Sequence, residues 1–215
     1  MTRPAVPAPA SDSPPGDIDL AAMVAALMQS RQTILPKRLA APGPSPSELG
    51  MIFEGAATAP DHRQLLPWRF VQVPATVRTG LAEVFGAALI ERDADATPEQ
   101  VAQARSKAHR SPLLLLLIVD GLCGDTDIDL FERIVSAGCA VQNMLLMATA
   151  LGYGSALTSG KALKSDTLRA LFSLAEGEHA LCFVSIGTAQ SRKKSRLRPA
   201  PGDFVTRLSP DDDPA

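Results

Sequence analysis

Aromatic residues are scarce: they make up 4% of this 215-residue chain, with one tryptophan, Trp68, and one tyrosine, Tyr153. A protein that holds single-stranded nucleic acid by base stacking needs an aromatic platform, and here there is almost nothing to stack on. Only three cysteines occur, Cys123, Cys139 and Cys182, far apart and without a C-x-x-C pair. That spacing excludes a zinc signature and a paired disulfide framework, and it fits reduced thiols in a cytoplasmic protein. With His62, His109 and His179 as the only histidines, a metal centre or a hydrolytic triad is thinly supplied, so no metal is expected. The longest purely apolar run, Leu113 to Val119, has seven residues, against roughly 20 for a membrane helix, so no membrane partner is expected. There is no G-x-G-x-x-G after a strand, no P-loop, no G-x-S-x-G and no H-E-x-x-H. Such a chain has the profile of an enzyme whose chemistry is carried by a bound cofactor rather than by its side chains.

What is present suits one sizeable core. Hydrophobic residues make up 46% and charged residues 20%, with a formal net charge of −2, so nucleic acid is not attracted by the molecule as a whole. Residues 1–16, rich in proline and alanine, read as a disordered tail, residues 17–208 as a single domain, and residues 209–215 as an acidic tail.

Helical spacing runs from Ile18 to Gln29 with Asp17 as its cap, and a second helix, capped by Ser45 or Ser47, extends to about Thr58. Trp68 to Val73 alternates as a strand with one face in the core. Thr79 to Arg92 and Pro98 to His109 read as helices, the latter on the surface. Leu113 to Val119, bounded by Pro112 and Gly121, has no polar position, as a central strand covered on both faces would. Phe131 to Leu151 is a long helix apolar on most faces, ended by Gly152 and Gly154 as left-handed stops. Gln142 and Asn143 on it either bond each other across a dimer or face a wet seam. Leu157 to Ser159 reads as a loop, Leu163 to Phe172 as a short helix, and Ala180 to Ile186 as a second apolar strand. Without a regular βαβ rhythm, α+β is the expected class.

Three segments resemble the nitroreductase family. Arg31-Gln32-Thr33, after the first helix, is similar to the family's Arg-Arg-Ser-like triplet. Ala59-Pro60-Asp61-His62 with Gln64 and Pro67-Trp68-Arg69-Phe70 resembles its A-P-x-x-x-x-x-P-W-x-F segment. Gly152-Tyr153-Gly154 with Leu157-Thr158-Ser159-Gly160, followed by Gly187-Thr188, resembles its flavin loop and closing strand. The likeness spans about Ile18 to Leu208, and it implies a mostly antiparallel sheet wrapped by helices in an interlocked homodimer with FMN between subunits. It further implies ping-pong transfer of a hydride from NADH or NADPH through FMN to a nitroaromatic, quinone or similar small-molecule acceptor. The flavin carries the chemistry, and no side chain is assigned as catalytic.

By the same resemblance Arg31 grips the FMN phosphate, for which its planar fork is suited. Gln32 and Thr33 depart from Arg and Ser but still donate hydrogen bonds. Lys194 and Arg196 add phosphate contacts, Thr58 and His62 reach the flavin of the partner subunit, and the backbone of Leu157, Thr158 and Ser159 passes beside the ring. Two other readings stand beside this one. A flavin carrier without turnover has the same ligands. A nucleic-acid module would use the basic run 192–198, which has five cations in seven residues, though the scarcity of aromatic residues and the acidic balance speak against it.

Overall fold

Seven consecutive apolar side chains make β3 (Leu113–Asp120) the centre of the sheet, buried on both faces. The computed structural model describes residues 19–191 and 197–208. On one side β3 pairs antiparallel with β2 (Trp68–Gln72), Trp68 opposite Val119 and Gln72 opposite Leu115. On the other it pairs antiparallel with β5 (Glu178–Ala189), Leu113 opposite Ile186 and Asp120 opposite Glu178, with a register shift between Leu117 and Ile118. β5 also pairs with β1 (Leu39–Ala40) and β4 (Gly154–Thr158), both antiparallel. Among the described residues the one parallel contact is the isolated bridge between Thr33 and Ser155.

Alternation along β3 divides the core in two. Leu113, Leu115, Leu117 and Val119 pack with Val184 and Ile186 against α2 (Pro46–Ala57) and α5 (Leu130–Ala150). Leu114, Leu116, Ile118 and Phe183 face α3 (Arg78–Arg92) and α6 (Asp166–Leu171). The result is an α+β sandwich of helices, sheet and helices. Full burial of a leucine or isoleucine such as Leu115 or Ile118 contributes about 1.5–3 kcal/mol relative to exposure.

Local chemistry explains where the helices begin. Asp19 caps α1 (Leu20–Ser30) by accepting from the Ala22 N–H at 3.0 Å. The expected cap, Asp17, lies outside the described residues, and the helix starts two residues later than its apolar pattern. Ser45, not Ser47, caps α2, and Glu48 completes a capping box by accepting from the Ser45 N–H at 2.8 Å. α4 (Pro98–Ser106) starts from a similar box of Thr97 and Gln100, and the pattern to His109 finishes as a 3-10 turn.

Three expectations are corrected. Residues 154–158, read as the end of a glycine stop and the start of a loop, form β4. Gly152 alone takes the left-handed conformation, with φ of 88°, whereas Gly154 is a glycine because the chain passes too close for a side chain: a Cβ there would lie 2.9 Å from Leu39 and 3.0 Å from Ile34. Leu163 to Phe172 is not one helix. Ser165 ends a 3-10 turn over Lys161–Lys164 and caps α6 by accepting from the Leu168 N–H at 3.3 Å. β5 runs from Glu178 to Ala189, longer at both ends than its apolar stretch. Asn143 donates to the Thr58 hydroxyl of its own chain at 3.0 Å, while Gln142 is exposed.

The three cysteines are free and partly buried. Burial pushes the Cys182 thiol up to about 11. Among the described residues no helix is long and apolar enough to cross a membrane, and no group of His, Cys, Asp and Glu side chains is placed to hold a metal ion.

Candidate functional site

A cleft of about 680 Å³ opens on the α3 side of the sheet, a size typical of sites for small molecules and cofactors, about 300–1,000 Å³. Its floor is Leu114, Phe183 and Ser185 from β3 and β5. One wall comes from Leu35 to Lys37 and from Thr158 to Leu163. The register of β4 on β5 explains why Thr158 faces the cleft: it lies opposite Phe183, whereas Leu157 lies opposite Val184 on the other face.

The opposite wall is a pair of helical stripes. α3 presents Phe85, Ala88, Leu89 and Arg92, and the α4 side presents Gln100, Gln103, Ala104 and Lys107. Both sets follow i, i+3, i+4, i+7, the spacing that lines one helix face. Phe85 meets Phe183 edge to face with centroids 5.6 Å apart, which closes the apolar floor. The polar lining is strongly cationic: Lys37, Arg92, Lys107, Arg110 and Lys161, with Asp93 as the single carboxylate. Sequence reading missed this wall, since Pro98 to His109 reads as merely a surface helix. Its Gln-Gln-Ala-Lys stripe was visible, but a polar face signals a site only when something stands opposite it.

The residues singled out from the sequence fall into three groups. Thr158 and Ser159 line the cleft; Leu157 is exposed beside it. Arg31, Gln32 and Thr33 run from the end of α1 to Leu35 on the cleft wall, along β4. There the Ile34 N–H donates to the Ser155 carbonyl at 2.9 Å. Arg31 is half-buried, and its carbonyl accepts from the Arg198 guanidinium at 3.0 Å, so the C-terminal segment passes beside it. Gln32 points inward, its side-chain oxygen buried without a partner among the described residues and next to a small void shared with Tyr153 and Gly154. Lys194 and Arg196 lie outside the described residues.

Thr58 and His62 form the third group and do not line the cleft of their own chain. Thr58 ends α2, its hydroxyl donating to the Gly55 carbonyl at 2.8 Å. His62 Nδ1 sits 2.6 Å from Glu132 of α5. The same chain exposes apolar side chains, with Phe131 and Val135 of α5 77% and 65% exposed and Leu20, Met23, Val24 and Met28 of α1 all about half exposed or more. Near the base of α2, Tyr153 donates to Glu48 at 2.8 Å. The backbone and side chain of Ser45, then Tyr153, hold the Glu48 carboxyl below its ordinary range, and Glu48 holds the Tyr153 hydroxyl above its own.

Comparison with known proteins gives a consistent likeness. The model of the nitroreductase family matches residues 29–188. A protein of Haemophilus influenzae, provisionally named an NAD(P)H nitroreductase, is 32% identical over 173 residues, 80% of this chain and 93% of that relative. Among solved structures, a nitroreductase-like family protein from Bacillus cereus superposes with a TM-score of 0.71 at 15% identity, covering 86% of this chain and 95% of that one. A Desulfovibrio desulfuricans protein, provisionally described as a nitroreductase and solved in complex with FMN, superposes with a TM-score of 0.64 at 21% identity, covering 87% and 98%.

Proposed function

The chain belongs to the nitroreductase family, and from that premise we propose that it is an FMN-dependent NAD(P)H oxidoreductase working as a cytoplasmic homodimer. The observation that carries this reading is the cleft: a space of about 680 Å³ with an apolar, aromatic floor and a cationic lining, bordered by the segment that follows Arg31. The apolar floor fits a planar ring system, and the segment that enters the cleft wall at Leu35 carries Arg31 for a phosphate. FMN held there would supply two-electron redox chemistry between NAD(P)H and a nitroaromatic, quinone or similar acceptor.

The chain's own residues bind and orient. Arg31 pairs with phosphate oxygens through its guanidinium fork, the Gln32 amide and Thr33 hydroxyl add hydrogen bonds, and Lys194 and Arg196 supply further charge. The backbone of Leu157, Thr158 and Ser159 would border the ring, where its N–H dipoles would tune the electronics of the bound group. No side-chain acid or base is required, and the apolar floor excludes water from the reacting atoms.

Thr58 and His62 act on the flavin of the second copy. Supporting this is the apolar surface that α5 exposes at Phe131 and Val135, on the helix to which His62 and Thr58 are bonded through Glu132 and Asn143. A twofold dimer buries that surface and brings the same residues of each copy to the other.

The test is a visible spectrum of the purified protein, followed by anaerobic addition of NADH or NADPH. Bands of oxidised flavin that bleach with a nicotinamide donor support the reading. A protein that neither carries nor takes up FMN overturns it, and flavin bands that persist with both donors assign the chain to flavin carriage instead.

A further inference from the structure

We propose that the α3–α4 wall of the cleft recognises the ribose 2′-phosphate of the electron donor through Lys107 and Arg110, making the protein selective for NADPH over NADH. The proposal rests on the oxidoreductase reading above and deepens it.

The cleft carries an excess of positive charge. Phosphate binding by FMN is assigned to Arg31, which does not line the cleft, and to Lys194 and Arg196, which lie outside the described residues. Five further cations line the cleft against one carboxylate, and none of the five forms an ion pair among the described residues. Unneutralised cations at one mouth repel one another, and an anionic ligand relieves that repulsion. NADH brings only its diphosphate. NADPH adds a phosphomonoester of about −1.5 to −2 near neutral pH.

Lys107 and Arg110 also lie close together in the chain at the end of α4. Lys107 ends α4 and Arg110 follows the 3-10 turn that it begins, three residues on, a spacing that brings the two side chains to one patch. Arg110 is half-buried and donates to the Ser106 hydroxyl at 3.1 Å. That bond uses one guanidinium nitrogen and steadies the group, leaving its other N–H donors for a phosphate. Gln100 and Gln103 precede them on the same stripe; Gln100 Oε1 accepts from the Thr97 N–H, which leaves its amide nitrogen and the Gln103 amide for sugar hydroxyls or a base edge. The wall therefore reads as polar recognition facing an apolar floor, which is the division a dinucleotide requires above a bound ring system.

The experiment compares kcat/KM for NADPH and NADH, scored by bleaching of bound flavin, in the wild type, the double variant Lys107→Gln/Arg110→Gln and the conservative variant Lys107→Arg. FMN content by absorbance and competition by adenosine 2′,5′-bisphosphate against adenosine 5′-phosphate are measured on the same preparations. The wild type should favour NADPH by about tenfold or more, the expected effect of a charge-assisted phosphate contact. The double variant should bring that ratio close to one, keep its FMN and lose its preference for the bisphosphate, while Lys107→Arg retains the preference. Equal use of the two donors by the wild type, or an unchanged ratio in the double variant, overturns the proposal while leaving the oxidoreductase reading intact. Release of FMN by the double variant also overturns it, because the pair would then belong to the flavin phosphate. Failure of either donor to bleach bound flavin defeats the oxidoreductase reading and this proposal with it.

Discussion

Glu178 receives both Nε and Nη2 of Arg69, at 2.7 and 3.0 Å, so a bidentate ion pair ties β2 to the start of β5 across the central strand. The Arg69 guanidinium, with the Ala175 N–H, holds the Glu178 carboxyl below its ordinary range. A depressed carboxylate contributes stability above its unfolded pKa and loses it as pH falls through the folded value. Stability should therefore fall on acidification through and below the ordinary carboxylate range, about pH 4. Glu178→Gln should cost about 1–3 kcal/mol at pH 7 and flatten that acid limb. Urea unfolding at pH 7 and pH 4 reads both effects, and an acid limb as steep in the variant as in the wild type would show that other carboxylates set it.

Arg133 is a different kind of buried cation. It is 1% exposed, and its guanidinium donates to the carbonyls of Ile128, Cys123 and Asp125 at 2.9, 2.7 and 2.6 Å and to that of Asp120 at 3.2 Å. One side chain thereby organises the connection from β3 to α5. Arg133→Met keeps much of the volume but strands buried carbonyls, so it should cost about 3 kcal/mol or more. Limited proteolysis should find new cleavage within residues 121–129. A variant with wild-type stability and no new cleavage would mean that the loop organises itself.

Flavin affinity tests the phosphate assignment. Arg31→Ala and Arg196→Ala should each weaken FMN binding by about ten- to a hundredfold, or 1.5–3 kcal/mol, with the fold retained by circular dichroism. Fluorescence titration of the apoprotein measures this directly. Unchanged affinity in both variants removes the assignment.

Sharing of sites between subunits predicts complementation. Arg31→Glu spoils the phosphate grip, and Thr58→Arg with His62→Glu spoils the partner wall, so each protein alone should be inactive. Refolded as an equal mixture, half the dimers are mixed, and each of those carries one intact site. About a quarter of wild-type activity should return under random twofold pairing. If subunit exchange is demonstrated and activity stays at the level of the separate variants, each chain builds its site alone.

What the amino-acid sequence by itself determined are the elements whose signal is local. β3 was legible because an apolar run between Pro112 and Gly121 suits a strand covered on both faces, and α5 because its apolar positions recur at helical spacing over twenty-one residues. The capping box of α2 lies within four residues, and the family motifs are equally short-range. Tertiary structure alone decided the rest. β4 is a strand because β5 offers it a hydrogen-bonding edge, and Gly154 is a glycine there because Leu39 and Ile34, more than a hundred residues away in the chain, cross over it. Ser165, whose hydroxyl caps the second half of what reads as one amphipathic helix, is by contrast a local signal that the apolar spacing masked. The cleft wall of α3 and α4 became a candidate site only once Phe183 and Thr158 stood across from it. Helix stripes and caps are written into neighbouring residues, whereas strand edges, close approaches and cavities exist only between segments that folding brings together.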